Sequence, residues 1–374
     1  MTKKRLLIIQ EAMGGCGRNV ADIVRGVDQE RFEVTVVYGT SRVDDYYRSA
    51  MSEMKAKATM IPCDYLVRAI SPKQELKAYQ FIKSVIRNVR PDIIHCHSSK
   101  AGIIGRAAAK RLGVKKVFYT PHAYSFLAPE FSPAKRRAFI AIERFFSRHM
   151  TTLTFNVSRG EKQSALDNHL DKPSKFKVIY NGIPDVAVPS REESRSRLGL
   201  PQGVPVIGVT ARLVEQKDPM TFARIAEKVI RRNPSVHFAY IGDGPYHEQV
   251  VKFCREQGIE GNFHLLGYRA DAELVVSAFD VYLLTSLYEG FPYSPVEALR
   301  AGVPVVATRT TGNTEIVIPH ENGLMFPVRD AEAGAKAIEE VLSTTYDSDM
   351  VRKTFLEKFT VSTMLTRIQE EYSR

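Results

Sequence analysis

Short apolar runs alternate with longer amphipathic stretches along the chain. Short apolar runs predict buried strands, and apolar residues spaced three and four apart predict helices. In the first half, the predicted strands are Leu6–Ile9, Glu33–Tyr38, Thr59–Ile61, Ile93–Cys96, Val117–Thr120 and Thr152–Val157, and the predicted helices are Asn19–Val27, Lys73–Val89, Ala101–Leu112 and Ala134–Arg148. This alternation predicts a doubly wound α/β domain.

The second half repeats the plan. Its predicted strands are Val206–Thr210, Val236–Ile241, Phe263–Leu266, Val281–Leu284, Val305–Ala307 and Gly323–Phe326, and its predicted helices are Met220–Arg232, Tyr246–Gln257, Ala270–Ser277 and Ala331–Leu342. An Asn-Gly turn at Asn181-Gly182, before a charged stretch reaching about Arg197, predicts a linker. We therefore expect domains at 1–180 and 181–360, followed by a helix within 361–374.

Composition is typical of a globular protein, with 44% hydrophobic and 25% charged residues among 374. The run Leu6–Ile9 is too short for a signal peptide, and no apolar run is long enough to cross a bilayer. Four cysteines without paired spacing favour a reducing compartment over disulfides or a zinc ribbon. We expect a cytoplasmic protein.

Positive charge is concentrated in the first half. Residues 1–180 carry 32 Lys and Arg against 16 Asp and Glu, and the remainder carries 21 against 26. Such asymmetry indicates an anionic partner, either nucleic acid or lipid headgroups. The helix Pro133–Arg148 mixes basic and aromatic residues, which suits a membrane surface, although Phe139, Ile142 and Phe146 could equally form core. No nucleic-acid module is recognisable.

The most informative segment lies between Glu289 and Glu297. It follows an apolar strand and leads into a short helix with Pro295 in its first turn. Ligands bind at the carboxyl edge of such sheets, and a helix N-terminus presents free N–H groups to phosphate. Two carboxylates there suit the hydroxyls of a sugar nucleotide, and the amides suit its diphosphate.

The segment Glu289-Gly290-Phe291-Pro292-Tyr293-Ser294-Pro295-Val296-Glu297 resembles the glutamate-x7-glutamate motif of retaining GT-B glycosyltransferases of family four, the glycosyl transferases group 1. The resemblance implies two Rossmann-like domains facing each other across a cleft, with the acceptor on the first and the nucleotide sugar on the second. It also implies that the C-terminal helix crosses back to the first domain. The string His97–Gly102 looks like one found in capsule and exopolysaccharide members.

The resemblance also assigns roles to individual residues. Glu297 is expected to accept hydrogen bonds from ribose and Glu289 from the sugar, with Phe291 and Pro292 as backbone donors. Gly290 and Ser294 belong to the same binding segment. Arg212 and Lys217, five residues apart after a strand, match the pair that holds the diphosphate and offsets charge on the leaving group.

Other strand ends supply further candidates. Gly14 and Gly15 follow the first strand and are expected to admit the donor, since the Gly14–Gly17 loop does not complete a dinucleotide fingerprint. His122 matches the family histidine that touches the donor sugar. Gly242 and Tyr268 follow strands whose family counterparts line the nucleotide.

Two patterns suggest a metal, and neither is convincing by sequence. His95-Cys96-His97 needs a third ligand that the sequence does not place. Asp347-Ser348-Asp349 lies away from any strand end and is interpreted as a helix cap. We therefore expect no metal and no cofactor.

The sequence predicts a metal-independent, retaining transferase that moves a hexosyl or N-acetylhexosaminyl unit from a nucleoside-diphosphate sugar, most simply UDP-linked. The expected acceptor is a polyprenyl-diphosphate-linked glycan in polysaccharide assembly at the inner face of the cell membrane, without nucleic acid as a partner. Two alternatives remain open: a UDP-sugar 2-epimerase of the same fold, and a non-catalytic nucleic-acid-binding protein.

Overall fold

The computed structural model describes residues 2–11, 13–41, 43, 45–128 and 131–374. Contacts between residues divide the chain into two compact units. Unit 1 consists of Met1–Gly182 and Val361–Arg374, and unit 2 of Ile183–Thr360. Each unit is built on one parallel sheet with helical crossovers, which confirms the predicted doubly wound α/β class.

Unit 1 contains a seven-stranded parallel sheet in the order β3-β2-β1-β4-β5-β6-β7. Its strands are β1 (Lys4–Gln10), β2 (Phe32–Gly39), β3 (Ala58–Cys63), β4 (Ile93–His97), β5 (Lys116–Thr120), β6 (Leu153–Asn156) and β7 (Phe176–Val178). Along β1, Leu6 and Ile8 join one core cluster, whereas Leu7 and Ile9 join another. Successive side chains of a strand point to opposite faces, so both faces of this sheet are buried.

In the described part of unit 1, six α-helices connect these strands. They are α1 (Gly15–Gly26), α2 (Asp45–Lys57), α3 (Pro72–Val89), α4 (Ser99–Arg111), α5 (Pro133–Met150) and α6 (Arg159–Asp167). Helix α2 was not predicted, because its buried apolar stripe is narrow and consists of Tyr47, Ala50 and Met54. On α5, Phe139 packs against the core, but Ile142 and Phe145 are exposed.

Unit 2 contains a six-stranded parallel sheet in the order β10-β9-β8-β11-β12-β13. Its strands are β8 (Val206–Thr210), β9 (His237–Ile241), β10 (Phe263–Leu265), β11 (Val281–Leu284), β12 (Val305–Thr308) and β13 (Gly323–Phe326). Its helices are α7 (Arg191–Leu198), α8 (Pro219–Arg232), α9 (His247–Gln257), α10 (Ala272–Val275), α11 (Tyr293–Arg300), α12 (Asn313–Ile316), α13 (Ala331–Ser343) and α14 (Ser348–Lys358).

Helix α7 corrects the prediction of a linker reaching Arg197. The side chain of Ser190 accepts a hydrogen bond from the backbone N–H of Glu193 and caps the helix, and Gly199 ends it in the left-handed conformation. Arg195 is buried and donates to the carboxylate of Asp280 at 2.6 Å. The charged residues that suggested a linker are therefore caps and ion-pair partners of a docked helix.

The last helix, α15 (Val361–Ser373), belongs to unit 1. Its apolar stripe of Met364, Leu365 and Ile368 joins the core cluster on one face of that sheet. The hydroxyl of Tyr372 lies 2.6 Å from Nδ1 of His95, which is buried in β4. The chain therefore leaves unit 1 after Gly182 and returns to complete its core.

Among the described residues, none of the helices is long and apolar enough to cross a membrane. All four cysteines are buried and are not joined in disulfides.

Candidate functional site

The predicted residues of unit 2 follow the carboxyl ends of two adjacent central strands. β8 and β11 are neighbours in the sheet, and the chain continues from β8 to β9 on one side and from β11 to β12 on the other. This is the topological switch point, where open α/β sheets bind ligands. Arg212 and Lys217 follow β8, and Glu289 follows β11.

An ion pair joins the two groups of predicted residues. The Nζ of Lys217 lies 2.5 Å from Oε1 of Glu289, and their side chains are only 16% and 8% exposed. A charge-assisted hydrogen bond at this depth fixes the ammonium group beside the carboxylate. The structure therefore places Lys217, the predicted diphosphate ligand, directly beside Glu289, the predicted acceptor of hydrogen bonds from sugar hydroxyls.

Backbone contacts hold the two loops together around this pair. The N–H of Leu287 donates to the carbonyl of Gln216 at 2.8 Å, and the Gln216 side chain donates to the carbonyl of Tyr288 at 3.1 Å. The hydroxyl of Thr285 donates to the carbonyl of Lys217 at 2.8 Å. These bonds fix the loop after β8 against the loop after β11, so the position of Lys217 does not depend on its side chain alone.

Arg212 is exposed on a loop anchored to the turn after β9. The N–H of Leu213 donates to the carbonyl of Asp243 at 3.0 Å. Gly242 has a φ of 146°, and a Cβ at that position would lie 1.8 Å from the carbonyl oxygen of Ala211. Gly242 is therefore required for the close packing that places the Arg212 loop at the sheet edge.

Glu297 and Ser294 lie one turn apart on α11 and both face the buried Tyr282. The Tyr282 hydroxyl is hydrogen-bonded to Ser294 and lies 3.1 Å from the hydroxyl of Thr210 at the end of β8. Burial raises the pKa of Tyr282 to about 12, and the nearby charge of Glu297 contributes to that rise. Glu297 itself is only 6% exposed. Helix α11 is thereby fixed to the same strand end that carries Arg212.

The centre of the motif is a packed turn. The Phe291 ring is buried, 5.4 Å from the ring of Phe359, and the N–H of Gly312 donates to the carbonyl of Glu289 at 3.3 Å. A Cβ on Gly312 would lie 2.7 Å from the carbonyl oxygen of Gly290. Pro292 occupies the N-cap of α11 and has no N–H, so the expectation that it is a backbone donor is wrong.

Tyr268 follows the carboxyl end of β10 in unit 2. Its side chain is 66% exposed, and it follows Gly267, whose carbonyl accepts from the N–H of Gly242 at 2.8 Å. The backbone at Tyr268 is thus tied to the loop that supports Arg212. Its aromatic side chain is free to meet a planar ligand.

In unit 1, the predicted residues Gly14, Gly15 and His122 lie at the corresponding edge. Gly14 has a φ of 70° and precedes α1, and His122 follows β5 with a φ of 54°. Nε2 of His122 lies 3.0 Å from Nδ1 of His97, and the two rings stack. Burial lowers the pKa of His122 to about 3, so this ring is neutral at neutral pH.

Two residues at this edge were not predicted as site residues. His97 was considered in a strand motif without a third ligand and in the string His97–Gly102, and Cys16 in a glycine loop and among the unpaired cysteines. His97 is the last residue of β4 and Cys16 follows β1, strands that are neighbours in the sheet, and the sulfur of Cys16 lies near both rings. Strand adjacency, which sequence spacing does not reveal, was the missing signal. Asp347 caps α14 as expected, accepting from the N–H of Asp349 at 2.8 Å.

Solved structures identify the fold. A glycosyltransferase from Rickettsia africae superposes with a TM-score of 0.83 and 18% identity, covering 100% of this chain and 98% of that one. The Anabaena protein Alr3699/HepE in complex with UDP superposes with a TM-score of 0.78 and 21% identity, covering 99% of each chain. Both likenesses show the fold, which is that of the GT-B glycosyltransferases.

Family models match both halves of the chain. Residues 13–186 match Glycosyltransferase Family 4, and residues 190–354 match Glycosyl transferases group 1. The chain therefore belongs to the group 1, family four type of GT-B glycosyltransferases, as its motif indicated. It is a glycosyltransferase that uses nucleotide sugars, and this sets aside the non-catalytic alternative.

Curated relatives include glycosyltransferases. The UDP-Gal:alpha-D-GlcNAc-diphosphoundecaprenol alpha-1,3-galactosyltransferase of Escherichia coli is 27% identical over 323 residues, which is 83% of this chain and 80% of that protein. The putative glycosyltransferase EpsD of Bacillus subtilis is 24% identical over 72% of each chain.

Proposed function

We propose that this protein transfers a hexosyl or N-acetylhexosaminyl unit from a UDP-sugar to a hydroxyl of a polyprenyl-diphosphate-linked glycan, with retention at the anomeric carbon. The observation that carries the proposal is the Lys217–Glu289 ion pair at the β8/β11 switch point. In this pair, Lys217 suits the diphosphate of a sugar nucleotide, and Glu289 suits the hydroxyl groups of its sugar.

Donor binding is assigned mainly to unit 2. Arg212 and Lys217 hold the diphosphate, Arg212 through its planar fork and Lys217 as a compact charge. Glu297 accepts from the ribose, and Glu289 accepts from the sugar. The bound UDP in Alr3699/HepE supports the choice of base, and the relative from E. coli, named for a UDP-Gal donor, supports it as well.

The remaining candidates complete the donor site. Gly290, Phe291 and Ser294 contribute through the packed turn that fixes Glu289 and α11, and Gly242 and Tyr268 line the nucleotide. In unit 1, the loop with Gly14 and Gly15 is assigned to admit the donor, and the space around Gly14 supports this, because nothing lies within 4 Å of a Cβ placed on that residue. His122 contacts the donor sugar as a neutral hydrogen-bonding ring.

The transfer itself is assigned to same-face displacement without a metal. Negative charge develops on the departing diphosphate, and Arg212 and Lys217 stabilise it where it forms. A leaving phosphate oxygen takes the proton of the acceptor hydroxyl as the new glycosidic bond forms. No metal is required in this scheme, because the two cations supply the electrostatic stabilisation.

The assignment of the acceptor is supported by the name of the E. coli relative, which includes diphosphoundecaprenol. The assignment of the location is supported by the excess of positive charge in the first half of the chain. Basic residues there attract the anionic lipid carrier and the anionic cytoplasmic leaflet. We assign the protein to the inner face of the cell membrane, in the assembly of capsule or exopolysaccharide.

The test incubates the purified protein with UDP-, GDP- and dTDP-sugars and a synthetic polyprenyl-diphosphate-linked sugar, and follows product by mass spectrometry and NMR. The proposal expects product with one UDP-sugar, bearing an α linkage from an α-linked donor. A β linkage would contradict retention. Epimerised free sugar without acceptor would favour the 2-epimerase instead.

A further inference from the structure

Three metal-binding side chains meet at the carboxyl edge of the unit 1 sheet. One ligand atom each of Cys16, His97 and His122 lies within 4.8 Å of the other two. The ring nitrogens of His97 and His122 are 3.0 Å apart. Such a cluster of soft sulfur and imidazole nitrogen is the ligand set that Zn²⁺ prefers.

The sheet topology places this cluster. β1, β4 and β5 are adjacent, and the register aligns His97 with Gln10 at the end of β1 and with Thr120 at the end of β5. Cys16 enters α1 just after β1, and His122 follows β5 by two residues. His97 is therefore the last residue of a strand, Cys16 lies in the first turn of a helix, and His122 lies two residues beyond its strand.

The surroundings of the cluster, in the part of the chain that the structure describes, leave one nitrogen of the His97 ring without a partner. Nε2 of His97 is buried without a hydrogen-bond partner among the described residues.

The spacing fits a tetrahedral ion after a small adjustment. With metal–nitrogen bonds of about 2.0–2.1 Å and a metal–sulfur bond of about 2.3 Å, ligand atoms in a tetrahedron stand roughly 3.4–3.6 Å apart. The two rings must separate by a few tenths of an ångström, and the sulfur must approach by at most about 1.4 Å to reach the tetrahedral separation. Side-chain rotation can supply both movements.

We propose that unit 1 binds one Zn²⁺-class ion through Cys16 Sγ and one ring nitrogen each of His97 and His122, leaving one position open. The Cys16 thiol loses its proton to solvent as the sulfur–metal bond forms. The ion also holds the His122 ring that would otherwise contact the donor sugar, and so inhibits transfer. Binding stands on the geometry alone, whereas inhibition rests on the proposed function of His122.

The binding test uses the full-length, chelator-treated protein. Zn²⁺ is titrated by calorimetry, and Co²⁺ is added as a spectroscopic probe, because a cobalt–thiolate bond gives a near-ultraviolet charge-transfer band. The variants are Cys16→Ser and His97→Gln. The matched control is Cys63→Ser, another buried cysteine of unit 1 that is outside the cluster. Circular dichroism shows whether each variant is folded.

Wild type and Cys63→Ser should bind one ion per chain and show the cobalt band. Cys16→Ser should lose the band and bind Zn²⁺ roughly 100-fold more weakly or worse, since even an outer-shell change costs about 10–100-fold. Equal binding by folded Cys16→Ser, or no binding by wild type, would overturn the site.

The activity arm separates the two parts of the inference. Transfer by each protein is measured with and without Zn²⁺ and compared with its own metal-free rate. Zn²⁺ should slow wild type and Cys63→Ser but not Cys16→Ser. Binding without inhibition would refute the role of His122 and leave the site standing, whereas absence of transfer with every donor would refute the proposed function alone.

Discussion

Lys217 and Glu289 lie 72 positions apart in the chain, yet their side chains form a largely buried ion pair. The sequence predicted both as site residues, because each follows an apolar strand. It could not predict their contact, since that depends on backbone bonds such as Leu287 N–H to Gln216. It also missed Cys16 and His97, whose proximity appears only once strand order is known.

Variants of the Lys217–Glu289 pair can separate an effect on the free energy of unfolding from an effect on catalysis. Lys217→Met should lower kcat/KM on the order of 10²–10³-fold, because a cation facing the developing charge is lost. It should also destabilise unit 2, because the Glu289 carboxylate is left buried without its cation. Steady-state kinetics and urea unfolding measure the two effects.

The double variant Lys217→Met/Glu289→Gln should recover stability without recovering activity. Lys336→Met, an exposed lysine of α13 in the same unit, is the matched control and should change neither. If the double variant regained activity together with stability, Lys217 would be a structural residue only.

At the scale of elements, buried polar contacts lock helices to strands in ways that apolar patterns do not show. Arg106 on α4 is fully buried and donates to the carboxylate of Glu143 on α5 at 2.9 Å. The hydroxyl of Tyr119 on β5 donates to the same carboxylate at 3.0 Å. Most strands, though not β7, were predicted closely because both of their faces are apolar, whereas α7 was missed because its docking relies on a buried arginine.

Glu143→Gln should destabilise the protein by about 3–5 kcal/mol, because Arg106 keeps its charge in a buried site without a counter-charge. Urea unfolding followed by circular dichroism measures this. The control is Glu193→Gln, which breaks the exposed pair with Arg197 and should cost less than about 1 kcal/mol. Equal, small effects would show that the buried network contributes little.

A histidine pair on the edge of the unit 2 sheet predicts a pH effect. Nδ1 of His237 lies 3.0 Å from Nε2 of His264 on the neighbouring strand, and burial lowers the pKa of both below 6.5. The unfolded chain therefore binds more protons as pH falls from 6.5 toward the folded values. The stability contribution is complete above pH 6.5 and is lost on acidification.

The measurement is the urea midpoint at several pH values between ~7.5 and ~5 for wild type and His264→Gln. The variant should show a shallower loss of stability on acidification, because one of the two titrating rings is gone. Every other titrating group is common to both proteins, so its contribution cancels when the two pH profiles are compared. Parallel pH profiles would rule out this pair as a contributor.

At the scale of the whole molecule, the sequence predicted two α/β units with a boundary between residues 180 and 181, and contacts divide the chain after Gly182. Alternating strands and helices, together with an Asn-Gly turn, suffice for that. The roles of the residues follow from the family motif and not from the pattern of apolar residues. Because positive charge is concentrated in the first half of the chain, we also expect the protein to bind anionic lipid surfaces.

The protein should cosediment with vesicles containing anionic phosphatidylglycerol and should be released by high salt, because exposed charges are screened within about 10 Å at 0.1 M salt. Lys135→Glu/Arg137→Glu on α5 should weaken binding. The control, Lys252→Glu/Lys336→Glu, makes the same charge change on exposed lysines of unit 2. Binding that persists in high salt, or equal losses in both variants, would contradict an electrostatic membrane contact through α5.

Calorimetric titration of UDP into wild type, Arg212→Met, Lys217→Met and the control Lys336→Met tests the central claim most directly. Wild type and Lys336→Met should bind one UDP per chain. Each of the other two should bind at least about tenfold more weakly, a loss of roughly 1.4 kcal/mol. Unchanged affinity in both Arg212→Met and Lys217→Met, or no heat with wild type, would show that the β8/β11 edge is not the diphosphate site.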